Sequence, residues 1–143
     1  MLSQTCKTAI KAVIYLSIRS EAGKKTSIKE ISEKINASEH TIGKTLQTLV
    51  RHKIINSVKG PNGGFYLQDE QQNQALSNIV ETIEGKEVFK ECGLGLSMCS
   101  ESHPCPIHFD YKVARDLIEK IFREKKVKDL RDPVNDGLAF LMD

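Results

Sequence analysis

Two short helical segments, each with its own start signal, stand only a tight turn apart between Ser27 and Lys53. Ser27-Ile-Lys-Glu30 has the form of a capping box, in which the serine hydroxyl accepts from the N3 amide and the glutamate reaches back to the N-cap amide. Ile28, Ile31 and Ile35 follow at helical spacing. Asn36 and Ala37 supply the turn, and Ser38 is placed to cap a second segment through about Lys53, with Ile42, Leu46, Leu49 and Val50 inward. Helices joined by so short a link form a helix-turn-helix.

The flanking sequence completes a known arrangement. From Thr5 to Ser20 the residues Cys6, Ala9, Ile10, Val13, Leu16 and Ser17 form a helical stripe widened by Ile14 and Ile18, and Gly23 ends it. Ile54 to Val58 reads as a strand, Lys59-Gly-Pro-Asn-Gly-Gly64 as a tight turn and Phe65-Tyr-Leu67 as the returning strand. Three helices followed by a hairpin predict a winged helix-turn-helix, whose third helix enters the major groove while the wing tip meets the backbone or minor groove. The residues expected to contact double-stranded DNA are Ser38, Glu39, His40, Thr41, Lys44, Thr45 and Thr48 on the third helix. Lys59, Gly60, Asn62 and Gly63 at the wing, and Lys7 on the first helix, complete the set.

Charge supports that expectation. Residues 1–66 carry 11 Lys and Arg against 4 acids, a net of +7 hidden by an overall +2, and the remainder nets −5. A basic half of this size is what a phosphate-backbone binder needs, because each neutralised phosphate releases a condensed counterion. No apolar run is long enough to span a membrane and the N-terminus lacks the apolar core of a signal peptide, so a cytoplasmic protein is expected. With no Trp, 3 Tyr and 5 Phe, an aromatic binding cleft is not expected.

After the wing, Leu76, Ile79, Val80 and Ile83 predict a short helix stopping at Gly85. Ile107 to Lys126 predicts a long one, with Phe109, Val113, Leu117 and Ile121 on one stripe and Ile118 and Phe122 beside it. So small a domain cannot cover that stripe alone, which points to a homodimer reading a palindromic promoter site. Val127 to Leu130 reads as a docking segment, and Val134, Leu138, Ala139 and Leu141 hint at a terminal helix. The expected architecture is mainly α with a small β-hairpin, a winged helix-turn-helix plus a long C-terminal dimerisation helix. Residues 1–85 would form the DNA-binding domain with its connecting helix, 86–106 a cysteine-rich sensor loop, and 107–143 the dimerisation helix and C-terminal segment.

Three of the 4 cysteines, Cys92, Cys99 and Cys105, fall in that loop with the spacing C-x6-C-x5-C. In a reducing compartment such clustering argues for metal ligation or thiol redox chemistry rather than structural disulfides. Thiolates suit an iron-sulfur cluster or zinc. The spacing is neither that of a zinc finger nor a ferredoxin run, so cluster, zinc, thiol redox and simple packing all stay open.

The chain resembles the Rrf-type ("Rrf-two") winged-helix transcription regulators, including their IscR- and NsrR-like members. The resemblance runs through the first helix, the segment Ile28 to Ile35, the wing Ser57-Val-Lys-Gly-Pro-Asn-Gly-Gly-Phe-Tyr-Leu67, the Ile79 to Gly85 stretch and the three-cysteine loop. Lys59 stands where the family commonly has Arg, keeping the charge but losing the planar fork, and the first cysteine gap is one residue longer than the family's. The resemblance implies that Cys92, Cys99 and Cys105 ligate an iron-sulfur cluster. It implies His108 as fourth ligand, because Lys7 stands near the acidic ligand position of the NsrR-like branch; His103 and Cys6 are rivals. A histidine-completed site goes with [2Fe-2S] in preference to [4Fe-4S]. The expected function is a dimeric regulator, not an enzyme, whose promoter affinity responds to redox, nitric oxide or iron-sulfur status. A cluster-free regulator using thiol redox, zinc or a protein partner is the alternative, and a small metal or redox enzyme is disfavoured by the lack of any nucleophile-base motif or cofactor fingerprint.

Overall fold

A computed structural model describes residues 1–143. In chain order the elements are α1 (Gln4–Glu21), α2 (Ile28–Ile35), α3 (Glu39–Arg51), β1 (Asn56–Val58), β2 (Gly64–Tyr66), α4 (Asp69–Gln72), α5 (Leu76–Glu84), α6 (His108–Glu124) and α7 (Val127–Asn135). The expected winged helix-turn-helix is present, with a long helix following the cysteine loop.

Local chemistry accounts for most boundaries. The Ser3 hydroxyl accepts from Cys6 N and starts α1, while the Ser27 and Ser38 hydroxyls accept from Glu30 N and Thr41 N and start α2 and α3. Asn36, at φ 52° and ψ 57°, turns the chain between α2 and α3 in the left-handed region that asparagine tolerates. Only half of the expected capping box forms. The Glu30 carboxylate turns toward α1, accepting from the Tyr15 hydroxyl at 2.6 Å and pairing with Arg19 at 3.0 Å. A guanidinium and a phenol together are stronger partners than one water-exposed amide.

The main core gathers Ala9, Ala12, Val13 and Leu16 of α1, Ile31 and Ile35 of α2, and Ile42, Leu46 and Leu49 of α3 around Ile55, Ile79 and Val127. Because α2, α3, α5 and α7 all pack on α1, α1 is buried beyond its expected stripe. Thr8 and Ala12 are also inside.

The wing pairs Asn56 with Tyr66, Ser57 with Phe65 and Val58 with Gly64 in antiparallel register. Thr26 adds an isolated antiparallel bridge on the other edge of β2: its N–H and carbonyl exchange bonds with those of Phe65, each at 2.9 Å. Gly64, at φ +142°, has no room for a side chain, since a Cβ there would lie 2.9 Å from the Thr26 carbonyl oxygen. At the base of the wing the Gln71 amide accepts from Asn56 and from Gln68 N and donates to the Lys53 carbonyl.

The C-terminal part departs from expectation. The last helix begins at Val127, whose side chain is buried in the main core, and it ends at Asn135 with Pro133 inside. The expected terminal helix over Val134 to Leu141 does not form; Gly137 lies at φ +73°, and Leu138 and Phe140 are 80% and 81% exposed. The Asp129 carboxylate accepts from Lys126 N and starts α7 early enough for it to return along α1, where Arg131 pairs with Glu21 at 3.0 Å. No helix is long and apolar enough to cross a membrane.

Candidate functional site

Two regions carry the expected functional residues. On α3, Ser38, Glu39, His40, Thr41 and Lys44 are exposed and Thr48 is half-buried. Thr45 is a correction: it is 3% exposed and its hydroxyl donates to the Thr41 carbonyl, so it belongs to the interior face of α3. Threonine satisfies its hydroxyl within its own helix and can then pack like valine. The Ser38 hydroxyl is engaged by the cap and by Thr41 Oγ1 at 2.9 Å. Lys59, Gly60 and Asn62 are exposed at the wing tip, Gly63 is half-buried beneath them, and Lys7 is exposed on α1. A Cβ on Gly63 would lie 2.1 Å from the Val58 carbonyl oxygen, so the turn needs glycine there. Between α3 and the wing runs a groove of about 410 Å³ lined in part by Gln47, Arg51, Ser57 and Lys59. Gln47 and Arg51 were not anticipated; both are exposed polar residues continuing the outer face of α3.

The second region is the loop between α5 and α6. Cys92, Cys99 and Cys105 are unpaired thiols whose sulfurs all lie within 4.8 Å of one another. Cys92 Sγ is 3.6 Å from Cys105 Sγ. The loop reaches this geometry through consecutive turns. Gly95 N donates to the Cys92 carbonyl and Cys99 N to the Leu96 carbonyl, with Gly95 at φ +73°. Those turns absorb the seventh step of the longer first gap. A third turn, with Ser100 and His103 exchanging main-chain bonds, brings Cys105 back. There Cys105 N donates to Cys99 Sγ at 3.4 Å.

His108 is the first residue of α6, and its Nδ1 sits 3.2 Å from Cys99 Sγ. Its Nε2 is buried without a hydrogen-bond partner. The ring thus meets the thiol group through Cys99 alone, and the set of ligand atoms that all lie within 4.8 Å of one another consists of the three sulfurs without His108. Cys6 is fully buried in a separate apolar cluster with Val80, Val88 and Phe89, away from the thiol group. His103 lines a small pocket beside Cys99 and Cys105, with its ring making no hydrogen bond there.

The thiols are electrostatically unequal. Main-chain donors at Leu96 and Leu94 lower Cys92 to about 7, against an ordinary value of 9.0. Burial, followed by the neighbouring thiols, moves Cys105 in the opposite direction despite a lowering contact from Ile107. One thiol is therefore ready to act as a thiolate while its neighbour holds its proton. Three soft sulfur donors converging at the start of a helix, with the His108 imidazole against one of them, fit a thiolate-rich metal or iron-sulfur site.

Comparison with known proteins agrees on the type of molecule. A profile of the Rrf2 family, described as iron-dependent transcriptional regulator, matches residues 2–133. A protein of Aquifex aeolicus assigned to the HTH-type transcriptional regulators is 26% identical over 132 residues, spanning 91% of this chain and 90% of its own. The HTH-type transcriptional regulator NsrR of Oceanobacillus iheyensis is 24% identical over 134 residues, 93% and 90% of the two chains. The structure of CymR (YrzC), the global cysteine regulator of B. subtilis, superposes with a TM-score of 0.73 at 20% identity, over 92% of this chain and 96% of that one, and so shares the fold.

Proposed function

Because the chain belongs to the Rrf2 family of transcriptional regulators, we propose that it reads palindromic promoter DNA as a homodimer and that occupancy of the Cys92, Cys99 and Cys105 thiols sets its affinity. It is a DNA-binding regulator and not an enzyme. The observation that carries the sensory part is the convergence of three sulfurs to within 4.8 Å at the start of α6. With His108 as fourth donor, these residues would hold an iron-sulfur cluster, and the histidine favours [2Fe-2S]. Such a group, when bound, supplies a link among the cysteines that oxidant, nitric oxide or iron limitation can remove.

The protein's own residues then do the rest. Holding Cys92 and Cys99 against Cys105 ties both arms of the loop to the start of α6. On its inner face α6 seats Ile118 and Phe122 against Val80, Phe89 and Cys6, with Phe89 and Phe122 ring centroids 5.9 Å apart and Arg123 paired with Glu81 at 2.6 Å. Freeing the loop loosens α6 on the winged domain. In a dimer built on the outer face of α6, a change in that seating alters the separation of the two α3 helices, and half-site spacing is a geometric requirement of operator binding. On the DNA side, Glu39, His40, Thr41, Lys44 and Thr48 would face the major groove, with Ser38 at the helix start, while Lys59, Gly60, Asn62 and Gly63 carry the wing to the phosphates and Lys7 adds a backbone contact.

One feature favours a second use of the same residues. The 3.6 Å separation of Cys92 and Cys105 and the acidity of Cys92 suit disulfide formation in a cluster-free regulator. Mobility-shift titration with a duplex selected on the protein tests the proposal. Wild-type affinity should change after oxidant or nitric oxide treatment, and a Cys92→Ser/Cys99→Ser/Cys105→Ser chain should bind without that response. A triple variant that responds like the wild type removes the cysteines from the sensing mechanism.

A further inference from the structure

Helix α6 grips the first arm of the cysteine loop with two side chains one turn apart. Arg115 Nη1 donates to the main-chain carbonyls of Lys90 at 2.8 Å and Glu91 at 3.0 Å, the two residues immediately before Cys92. One turn earlier, Tyr111 closes on the residue immediately after it: a Cβ on Gly93 would lie 2.8 Å from the Tyr111 ring, so the loop approaches the ring as closely as only glycine permits. Cys92 is thus bracketed on both sides by contacts to α6. Cys105 is fixed to the same helix from its other end, through His108 N donating to the Cys105 carbonyl at 3.0 Å.

The environment of Arg115 shows where its hydrogen bonds are directed. Its side chain is only 14% exposed, Asp116 stands 4.0 Å from Nε, and Nε is buried without a hydrogen-bond partner. A guanidinium withdrawn from water is costly unless its donors are matched, and its matched donor serves the two loop carbonyls. Lys90 and Glu91 have no periodic apolar contact of their own in that stretch and are exposed. Phe89 anchors the start of this arm on Phe122 of α6; between that anchor and Cys92 it is Arg115 that ties the main chain to the helix, and after Cys92 the Gly93–Tyr111 contact.

We infer that Arg115 is a positioning residue for the sensor thiols: by holding the carbonyls of residues 90 and 91 on α6 it presets Cys92 opposite Cys105. The same bond makes any displacement of the Cys92 arm a displacement relative to α6. This rests on reading the thiol cluster as the input site, but its test uses the metal-free chain and does not need a cluster to assemble.

The experiment uses full-length protein carrying Cys99→Ser, so that Cys92 and Cys105 are the one close pair. It is equilibrated metal-free in glutathione buffers, where two protein thiols and one oxidised glutathione yield the intramolecular disulfide and two reduced glutathiones. The resulting equilibrium constant is the effective concentration of one thiol at the other. Arg115→Ala should lower it by about tenfold or more, toward the millimolar range of a flexible loop, and Arg115→Lys should restore most of the loss. Gly93→Ala, acting on the Tyr111 contact instead, should lower it too. Circular dichroism melting reports whether each variant is folded. If Arg115→Ala melts early, Gly93→Ala and Arg115→Lys still decide the question. Values within about twofold of the parent for Arg115→Ala and Gly93→Ala, with folding intact, overturn the inference even if the wild type assembles a cluster. A wild type that takes up neither iron-sulfur nor zinc, and whose duplex affinity is also the same with the Cys92–Cys105 pair reduced or oxidised, while Arg115→Ala still loosens the pair, would refute the input-site reading and leave the positioning role standing.

Discussion

Cys6, Cys92 and Cys105 are the same residue in three environments, and what each can do follows from its neighbours. Cys92 is lowered to about 7 by main-chain donors at Leu96 and Leu94, Cys105 is raised by burial, and Cys6 is pushed up to about 12 by burial with the charge of Glu84 adding to it. Alkylation of metal-free protein at pH 8, followed by peptide mass spectrometry, should label Cys92 first, Cys105 more slowly and Cys6 only after unfolding. The Cys92 rate should rise with pH through a midpoint near 7. Rapid labelling of Cys6 in the folded chain would contradict the packing described for it. The clustering of the cysteines was legible from their spacing, while His108 as fourth ligand, with His103 and Cys6 as rivals, came from the family resemblance. Which imidazole faces the sulfurs was not, because it depends on turns at 92–95, 96–99 and 100–103 that no local pattern announces. Thr45 shows the opposite failing: its polarity placed it outside, while a bond to the Thr41 carbonyl let it sit inside. Accordingly Lys44→Ala should weaken duplex binding and reduce the salt slope by roughly one counterion. Thr45→Val should leave both unchanged in the same titration.

In the proposed mechanism helix α6 is the element on which assembly and sensing meet, because its two faces differ. Tyr111, Arg115, Ile118 and Phe122 face the chain's own loop and second core, whereas Phe109, Val113, Leu117 and Ile121 remain 60%, 72%, 60% and 48% exposed on the other side. The stripe was readable because it repeats every four residues. The inner face was only half readable, since Arg115 and Tyr111 act through main chain and a glycine far away in sequence. In sedimentation experiments Leu117→Glu should convert the dimer to monomer without lowering the melting midpoint of the monomer, while Phe122→Ala should lower the midpoint without abolishing association. A dimeric Leu117→Glu protein would move the interface elsewhere. The wing was legible from its glycines and the β-branched run before them. Helix α4 was not, because Asp69-Glu-Gln-Gln72 has no apolar period, and α7 was only half legible, since the segment at Val127 to Leu130 opens a helix that carries Pro133 and ends at Asn135, short of Leu138 to Leu141.

At the scale of the whole molecule, the basic N-terminal half and the acidic remainder are joined by an apolar seam in which Cys6, with Leu2 and Ile10, meets Val80, Val88, Phe89, Ile118 and Phe122. This seam is how a change at the loop would reach α1 and α5. It also contains Cys6, a group that should make folding sensitive to alkaline pH. The folded chain keeps Cys6 and Tyr15 protonated to about 12, against ordinary values of 9.0 and 10.0, mainly because burial disfavours their charged forms. The unfolded chain therefore releases those protons first. Their contribution is fully present below about pH 9 and is lost as pH rises toward 12. In a Cys92→Ser/Cys99→Ser/Cys105→Ser chain, which removes the opposing titration of the loop thiols, urea midpoints should fall above about pH 9, and adding Cys6→Ala should make that fall less steep. The most direct test of the central claim is anaerobic purification, with the visible spectrum, iron, acid-labile sulfide and duplex affinity measured on one sample before and after exposure to air. Absorption bands with matched iron and sulfide are expected, with an affinity that shifts as they are lost. A protein that stays colourless after in vitro reconstitution, and binds the duplex identically in both states, would rule out cluster sensing.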